Sequence, residues 1–171
     1  MKRIMIVGSG GSGKSTLASR LGKALDLPVY HLDRLFWHPG WQATPKPEWR
    51  TMQEQLVARP EWIIDGNYSS SMDVRLAACD TVVFLDLPTW VCLWGVLQRY
   101  LRYWGRTRPD MAEGCDERLD WRYLGWIVSY RWRRRPRFQR MIENLDPDKR
   151  VIILRSRPEI EQWLDDLGES E

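Results

Sequence analysis

The most specific chemistry in the sequence lies in eight consecutive residues, Gly8-Ser9-Gly10-Gly11-Ser12-Gly13-Lys14-Ser15. They match G-x-x-x-x-G-K-[ST], the Walker A pattern, whose glycines let successive backbone N–H groups turn inward toward phosphate oxygens. In this pattern Lys14 bridges the β- and γ-phosphates of a nucleoside triphosphate, and the Ser15 hydroxyl ligates Mg²⁺. Thr16, next in the chain, closes the expected nucleotide-contacting stretch, Gly8 to Thr16. A helix starting near Lys14 adds its positive N-terminal end to the cradle.

Carboxylates follow at intervals. Asp33, with Arg34 beside it, lies where an acceptor for the phosphoryl group would sit, and Asp33 could take a proton from an acceptor hydroxyl, orient it, or merely cap a turn. Asp65 precedes Gly66 and could hold the Mg²⁺ shell through water, with Asp86 as its rival. Asp65 is preferred, because Asp86 runs into Leu87-Pro88 and could cap the next helix. Arg75, ten residues after Asp65, is placed to reach an anionic acceptor or to lie on a helix surface. Arg99, Arg102 and Arg106 recur at helical spacing and lead to Arg108 in Gly105-Arg106-Thr107-Arg108-Pro109-Asp110. Arginines at the root of a mobile loop can close over a triphosphate and neutralise charge on the transferring group.

The elements that must position these residues are short apolar runs alternating with amphipathic stretches. Ile4–Val7, Val29–Leu32, Trp62–Asp65, Thr81–Asp86 and Arg150–Arg155 have the pattern of buried parallel strands. Helical periodicity marks Ser15–Leu25, Glu48–Arg59, Thr89–Trp104, Leu119–Trp132, Arg137–Leu145 and Pro158–Leu167, while prolines make 36–47 a loop. On the helix Thr89–Trp104, an apolar stripe of Trp90, Leu93, Trp94, Leu97, Leu101 and Trp104 is assigned to the core. The alternation predicts an α/β fold, a doubly wound three-layer sandwich in which ligands bind beyond the carboxyl ends of the strands. Gly8, Asp33, Asp65 and Asp86 all fall at those ends.

Composition narrows the partners. The 171 residues, enough for one domain, carry a net charge of +3 and include 11 Trp. Between Arg99 and Arg140 there are 12 Arg, no Lys and 5 acids, a local +7 against −4 for the rest of the chain. Residues 99–140 are therefore expected to form an Arg-rich lid and following helix that meet an anion. The run Arg131, Arg133, Arg134, Arg135 and Arg137 around Trp132 would also suit weak nucleic-acid binding, with Trp121, Trp126 and Trp132 free to stack on bases. Three cysteines, Cys79, Cys92 and Cys115, lie in no disulfide or zinc pattern. No targeting or membrane-spanning run is evident, so a cytoplasmic protein without membrane contact is expected. The guanine-reading Asn-Lys-x-Asp motif is missing, as is the transporter Leu-Ser-Gly-Gly-Gln signature.

Together, the Walker A loop, His31-Leu32-Asp33-Arg34-Leu35-Phe36-Trp37, Trp62-Ile63-Ile64-Asp65-Gly66-Asn67-Tyr68, Phe84-Leu85-Asp86-Leu87-Pro88 and Gly105–Met111 resemble the bacterial DNA topology modulation protein family, grouped with adenylate-kinase-related P-loop proteins. The resemblance runs to about Arg157. It implies a nucleoside/nucleotide-kinase-like P-loop NTPase fold with strand order 2-3-1-4-5, ATP and Mg²⁺ as cofactors, and a lid in the Arg-rich insertion. It also implies a link to DNA topology. Two departures separate the chain from adenylate kinases: Asn67-Tyr68-Ser69 replaces Phe-Pro-Arg after Asp65-Gly66, and His31-Leu32 replaces Thr-Gly before Asp33. The resemblance therefore does not extend to AMP as acceptor. The resulting expectation is an ATP-dependent phosphotransferase acting on a small acceptor. In it Lys14, Asp33, Arg99, Arg102, Arg106 and Arg108 are catalytic, Asp33, Arg34, Asp65 and Arg75 meet the acceptor, and Ser15 and Asp65 hold the metal. The alternative is a P-loop protein that binds DNA through its Arg-rich segment.

Overall fold

A computed structural model describes residues 1–168. The chain runs β1 (Arg3–Gly8), α1 (Lys14–Ala24), β2 (Val29–His31), α2 (Leu32–Phe36), β3 (Trp37–His38), β4 (Gln42–Ala43), α3 (Lys46–Val57) and β5 (Trp62–Asp65). A 3₁₀ turn (Ser69–Ser71) then leads to α4 (Met72–Ala78), β6 (Thr81–Leu85), α5 (Thr89–Tyr103), α6 (Trp121–Arg133), α7 (Arg135–Glu143), β7 (Arg150–Leu154) and α8 (Arg157–Gly168). Strands β2-β5-β1-β6-β7 form a five-stranded sheet, parallel throughout. Counted within that sheet alone, the order is the expected 2-3-1-4-5.

β1 shows why these runs become central strands. Alternate side chains point to opposite faces, and both faces are covered. Ile4 and Ile6 enter one core with Leu17 and Leu21 of α1, Val96 of α5, Ile127 of α6 and Ile160 of α8. Met5 and Val7 enter the other with Leu32, Trp49 of α3, Leu76 of α4 and Phe138 of α7. A strand buried on both sides has no polar face, which is why it appears as an unbroken apolar run.

Local signals set several boundaries. Asp120 caps α6, its side chain accepting from Arg122 N at 2.8 Å, and Pro47 and Pro136 sit in the first turns of α3 and α7, where a missing N–H costs nothing. Three details depart from the sequence reading. The stretch 36–47 contains the antiparallel β3-β4 pair and the start of α3 rather than loop alone. Leu32 opens α2 instead of ending β2. Residues 99–140 comprise the end of α5, a connecting segment carrying bridges from Trp104 to Glu117 and Thr107 to Asp116, and α6 and α7, which pack on opposite faces of the sheet rather than forming one continuous block.

The largest correction concerns α5. Its core-facing residues are Cys92 and Val96, whereas Trp90, Trp94, Leu97, Leu101 and Trp104 are exposed. Gly95 lies on the inner side, where its missing side chain lets α5 approach within contact of the Gly11 carbonyl. The small residues therefore face inward and the large apolar ones outward.

Candidate phosphate-binding and transfer site

The Gly8–Ser15 loop joins β1 to α1 at the carboxyl rim of the sheet. Gly11 has φ +74°, and an added Cβ would lie 2.1 Å from the Cys92 carbonyl oxygen of α5. Only glycine meets both the left-handed backbone and the tight packing there. Gly10 is pressed from above by Tyr123 and Ile127 of α6. The loop is thus held between two helices as well as between β1 and α1.

Lys14 Nζ donates to the Ser9 carbonyl at 2.8 Å, and burial lowers its pKa from the ordinary lysine value against the pull of Asp33 and Asp65. The Ser12 hydroxyl is buried without a hydrogen-bond partner. Such an unsatisfied donor, in a glycine-rich loop at the N-terminus of α1, fits a phosphate oxygen. Thr16, one residue further, is exposed.

Ser15 Oγ donates to Asp65 Oδ2 at 2.9 Å, so the hydroxyl and carboxylate expected to share a metal are neighbours. That pair suits Mg²⁺, which keeps several waters and takes its remaining oxygens from phosphates. Among the described residues there is no cluster of three or more His, Cys, Asp or Glu side chains that could hold a metal otherwise. Asp65 Oδ1 also meets His31 Nδ1 at 2.5 Å. Burial disfavours the charged His31 ring, but the hydrogen bond and charge of Asp65, helped by Asp110 and Asp33, raise its pKa overall. Asp86, the rival carboxylate, is gripped by Arg135 through two bonds of 2.6 Å. It joins β6 to α7, leaving Asp65 as the carboxylate beside Ser15.

Asp33 lies in α2 with its carboxylate accepting from Tyr68 Oη at 2.7 Å. Burial pushes the Tyr68 hydroxyl pKa far up, so it stays a donor. Arg34, beside it, is exposed. Asn67 ties this segment to the cradle, because its side chain accepts from Gly8 N at 3.2 Å and donates to Gly8 O at 2.8 Å. Neither Asn67 nor Tyr68 was singled out as a site residue in the sequence. Their signals are membership of the Trp62–Tyr68 stretch and position immediately past the carboxyl end of β5.

Arg75 is not where the sequence suggested. It is fully buried, and its guanidinium donates to the carbonyls of Gly66 (2.7 Å), Asn67 (2.6 Å) and Tyr68 (3.2 Å). Burial lowers its pKa to about 10, still far above neutrality. Its work is internal, since it shapes the loop that carries Asn67 and Tyr68.

The four arginines expected to serve a lid divide into two pairs. Arg102 and Arg106 are exposed. Arg99 and Arg108 turn inward onto buried Glu117, at 3.0 and 2.7 Å, and Arg108 also meets Asp110 at 2.9 Å. Arg99 further lies 5.6 Å from the Tyr123 ring centre, above the phosphate loop. Glu117 and Tyr123 are therefore additional residues of the rim, and neither carries a motif. The α5–α6 connection is tied to the β3-β4 pair by Gly40 N donating to Gly114 O at 3.1 Å and Cys115 Sγ donating to His38 O at 3.2 Å.

Beside Asn67, a cavity of about 400 Å³ opens between α4, α6 and α7. Its walls include Trp126 and Tyr130, with Arg133, Arg134 and Arg137 at its edge. Arg134 lies 5.0 Å over the Trp126 ring, and Tyr123 stacks on the same ring, so Trp126 already has two partners within the protein. Trp121 and Trp132 are exposed.

A parallel 2-3-1-4-5 sheet with a Walker A loop after its central strand is the architecture of the P-loop kinases. Structural comparison agrees. The chain is similar to shikimate kinase from Bacteroides thetaiotaomicron at TM-score 0.59 and 20% identity, covering 99% of this chain and 97% of that one. It is similar to shikimate kinase from Acinetobacter baumannii, solved with shikimate, at TM-score 0.58 and 15% identity, covering 99% and 92%. A sugar kinase from Janibacter sp. HTCC2649 matches at TM-score 0.50 and 20% identity, covering 99% and 91%. At such identities the likeness establishes the fold. No model of a known protein family matches the chain, and no curated protein does. The DNA-topology link has no counterpart in these neighbours. No helix among the described residues is long and apolar enough to cross a membrane.

Proposed function

We propose that the protein transfers the terminal phosphoryl group of ATP to a hydroxyl of a small anionic acceptor. The observation that carries this reading is convergence on one rim: Lys14 on the phosphate loop, Ser15 2.9 Å from Asp65, and Asp33 held by Tyr68 at 2.7 Å. Bound Mg²⁺ would supply charge neutralisation of the phosphates. Backbone amides of the loop beyond Gly8, whose own N–H is held by Asn67, bind the phosphates, and Lys14 leaves the Ser9 carbonyl to follow the transferring group. Ser15 and Asp65 hold the metal, the latter through water. Asp33 accepts the acceptor hydroxyl proton or orients that hydroxyl, while Tyr68 keeps it in place. Arg99 and Arg108 exchange Glu117 for developing phosphate charge. The cavity beside Asn67, edged by three arginines, supports an anionic body for the acceptor.

The test is a screen of labelled ATP against nucleosides, nucleotides and small hydroxylated carboxylates or phosphates. Transfer to one acceptor class is expected, abolished in Lys14→Ala and slowed about 10²–10⁴-fold in Asp33→Asn with ATP affinity retained. Transfer that survives Lys14→Ala, or rapid hydrolysis with no acceptor used, would overturn the reading.

A further inference from the structure

The inner face of α5, carrying Cys92, Gly95 and Val96, is fully used against the phosphate loop and the core. Its outer face is not. Trp90, Trp94, Leu97, Leu101 and, at the C-cap, Trp104 are 41–72% exposed. Their separations are four, three, four and three residues, the a/d repeat by which one helix seats on another. A helix packed on its own core needs a broader stripe at 3.6 spacing, and in α5 the residues doing that job are different ones.

Size and charge point to the occupant. Taking aromatic side chains at about 150–250 Å² each, the stripe exposes on the order of 600 Å² of apolar surface per copy. That is at the top of what monomers tolerate, roughly 300–600 Å². Two such faces together reach about 1,200 Å², the lower bound for a specific stable interface. The residues flanking the a/d row, Val91, Leu93, Gln98 and Tyr100, carry no charge. A like copy therefore meets no repulsion across the seam, and no acidic or basic partner is selected. Arg99 is turned away onto Glu117. An interfacial lipid-binding helix would instead need a strongly charged face opposite its apolar one, and the opposite face of α5 is buried.

We propose that α5 is the seam of a homodimer, each copy covering the other's Trp90–Trp104 stripe about a two-fold axis. Pairing leaves the phosphate loop open, because that loop lies on the far side of α5. It also fixes the root from which the lid departs. Trp90, Trp94 and Trp104 thereby find a use that neither core nor phosphate site supplies.

Sedimentation velocity and light scattering over a range of concentrations test this directly. The expected species has twice the 20.4 kDa chain mass. Leu97, the middle of the five, meets its own copy or a near neighbour whichever way the helices run. Leu97→Glu and Leu97→Lys should each raise the dimer dissociation constant about 100-fold or more through facing like charges. Mixing the two variants should restore the dimer. Both side chains are exposed in a monomer, so far-ultraviolet circular dichroism and ATP binding should match the wild type and separate loss of pairing from misfolding. A wild-type chain of 20.4 kDa at every concentration, a dimer that survives Leu97→Glu, or a monomer that binds neutral or anionic vesicles through this face would overturn the proposal.

Discussion

Arg75→Met tests the role of the buried guanidinium most sharply, because sequence position and tertiary placement point to opposite outcomes. The wild-type side chain gives charge-assisted hydrogen bonds to Gly66 O, Asn67 O and Tyr68 O. Each such bond contributes about 1.5–3 kcal/mol, and each carbonyl left unpaired costs about 1–3 kcal/mol. Against this stands relief from burying a charge, worth several kcal/mol, to which the unpartnered Nε adds. The net loss should be about 3–5 kcal/mol, a lowering of the unfolding midpoint on the order of 10 °C for a chain of this size. The freed loop also loosens Asn67 from Gly8 and Tyr68 from Asp33, so ATP affinity and turnover should fall together. Arg75→Lys, which keeps the charge and fewer donors, should fall between. Urea denaturation with calorimetric ATP titration reads both effects. A variant that keeps its unfolding midpoint and loses only acceptor affinity would refute the internal-clamp reasoning and make Arg75 an anion contact after all.

Gly11→Ala places a methyl group 2.1 Å from the Cys92 carbonyl at φ +74° and should cost about 2–5 kcal/mol and abolish ATP binding. Gly125→Ala, with open space around an exposed helical position, should instead stabilise by about 0.5–1 kcal/mol. Thermal unfolding of the two variants compares them directly. Glu117→Gln leaves Arg99 and Arg108 without their shared carboxylate. Its stability should drop by about 3–5 kcal/mol, while ATP binds several-fold tighter in calorimetry; weaker binding would show that Glu117 does not compete with phosphate. Asp80 accepts from Lys2 N, Arg3 N and Thr81 Oγ1, and although burial opposes ionisation, these bonds hold its pKa below 3.8. Its contribution is present above the unfolded value and lost as pH falls through the lower folded one. Asp80→Asn should therefore be less stable than wild type near neutrality, the gap closing as pH falls through the lowered folded value in acid titrations followed by circular dichroism.

The parts of the fold visible in sequence are those with local causes. β1 is an unbroken apolar run because both its faces are covered, and the phosphate loop follows it at fixed spacing because a tight anion-binding turn needs glycines there. Asp65 and Asp33 stand out in the sequence because strand ends mark the rim of a parallel sheet. The residues that escaped notice act through distant partners. Asn67 matters because β5 lies beside β1 and brings it to Gly8; Tyr123 matters because α6 crosses the loop at Gly10. No pattern in the chain encodes either meeting.

α5 shows the division most plainly. Composition and periodicity alone determined that it is amphipathic, that Gly8–Ser15 carries the Walker A pattern, and that arginine is concentrated after residue 99. Tertiary structure decided which side of α5 faces inward. An apolar stripe specifies that a face must be covered but not by what. The close approach of α5 to Gly11 admits only Gly95 and its small neighbours, so the tryptophans are turned outward. The same kind of competition decided the fate of the charges: Arg75 went to backbone carbonyls, Asp86 to Arg135, and Arg99 and Arg108 to Glu117. A side chain's charge is written in the sequence, but its partner is whichever group the packed fold brings within reach.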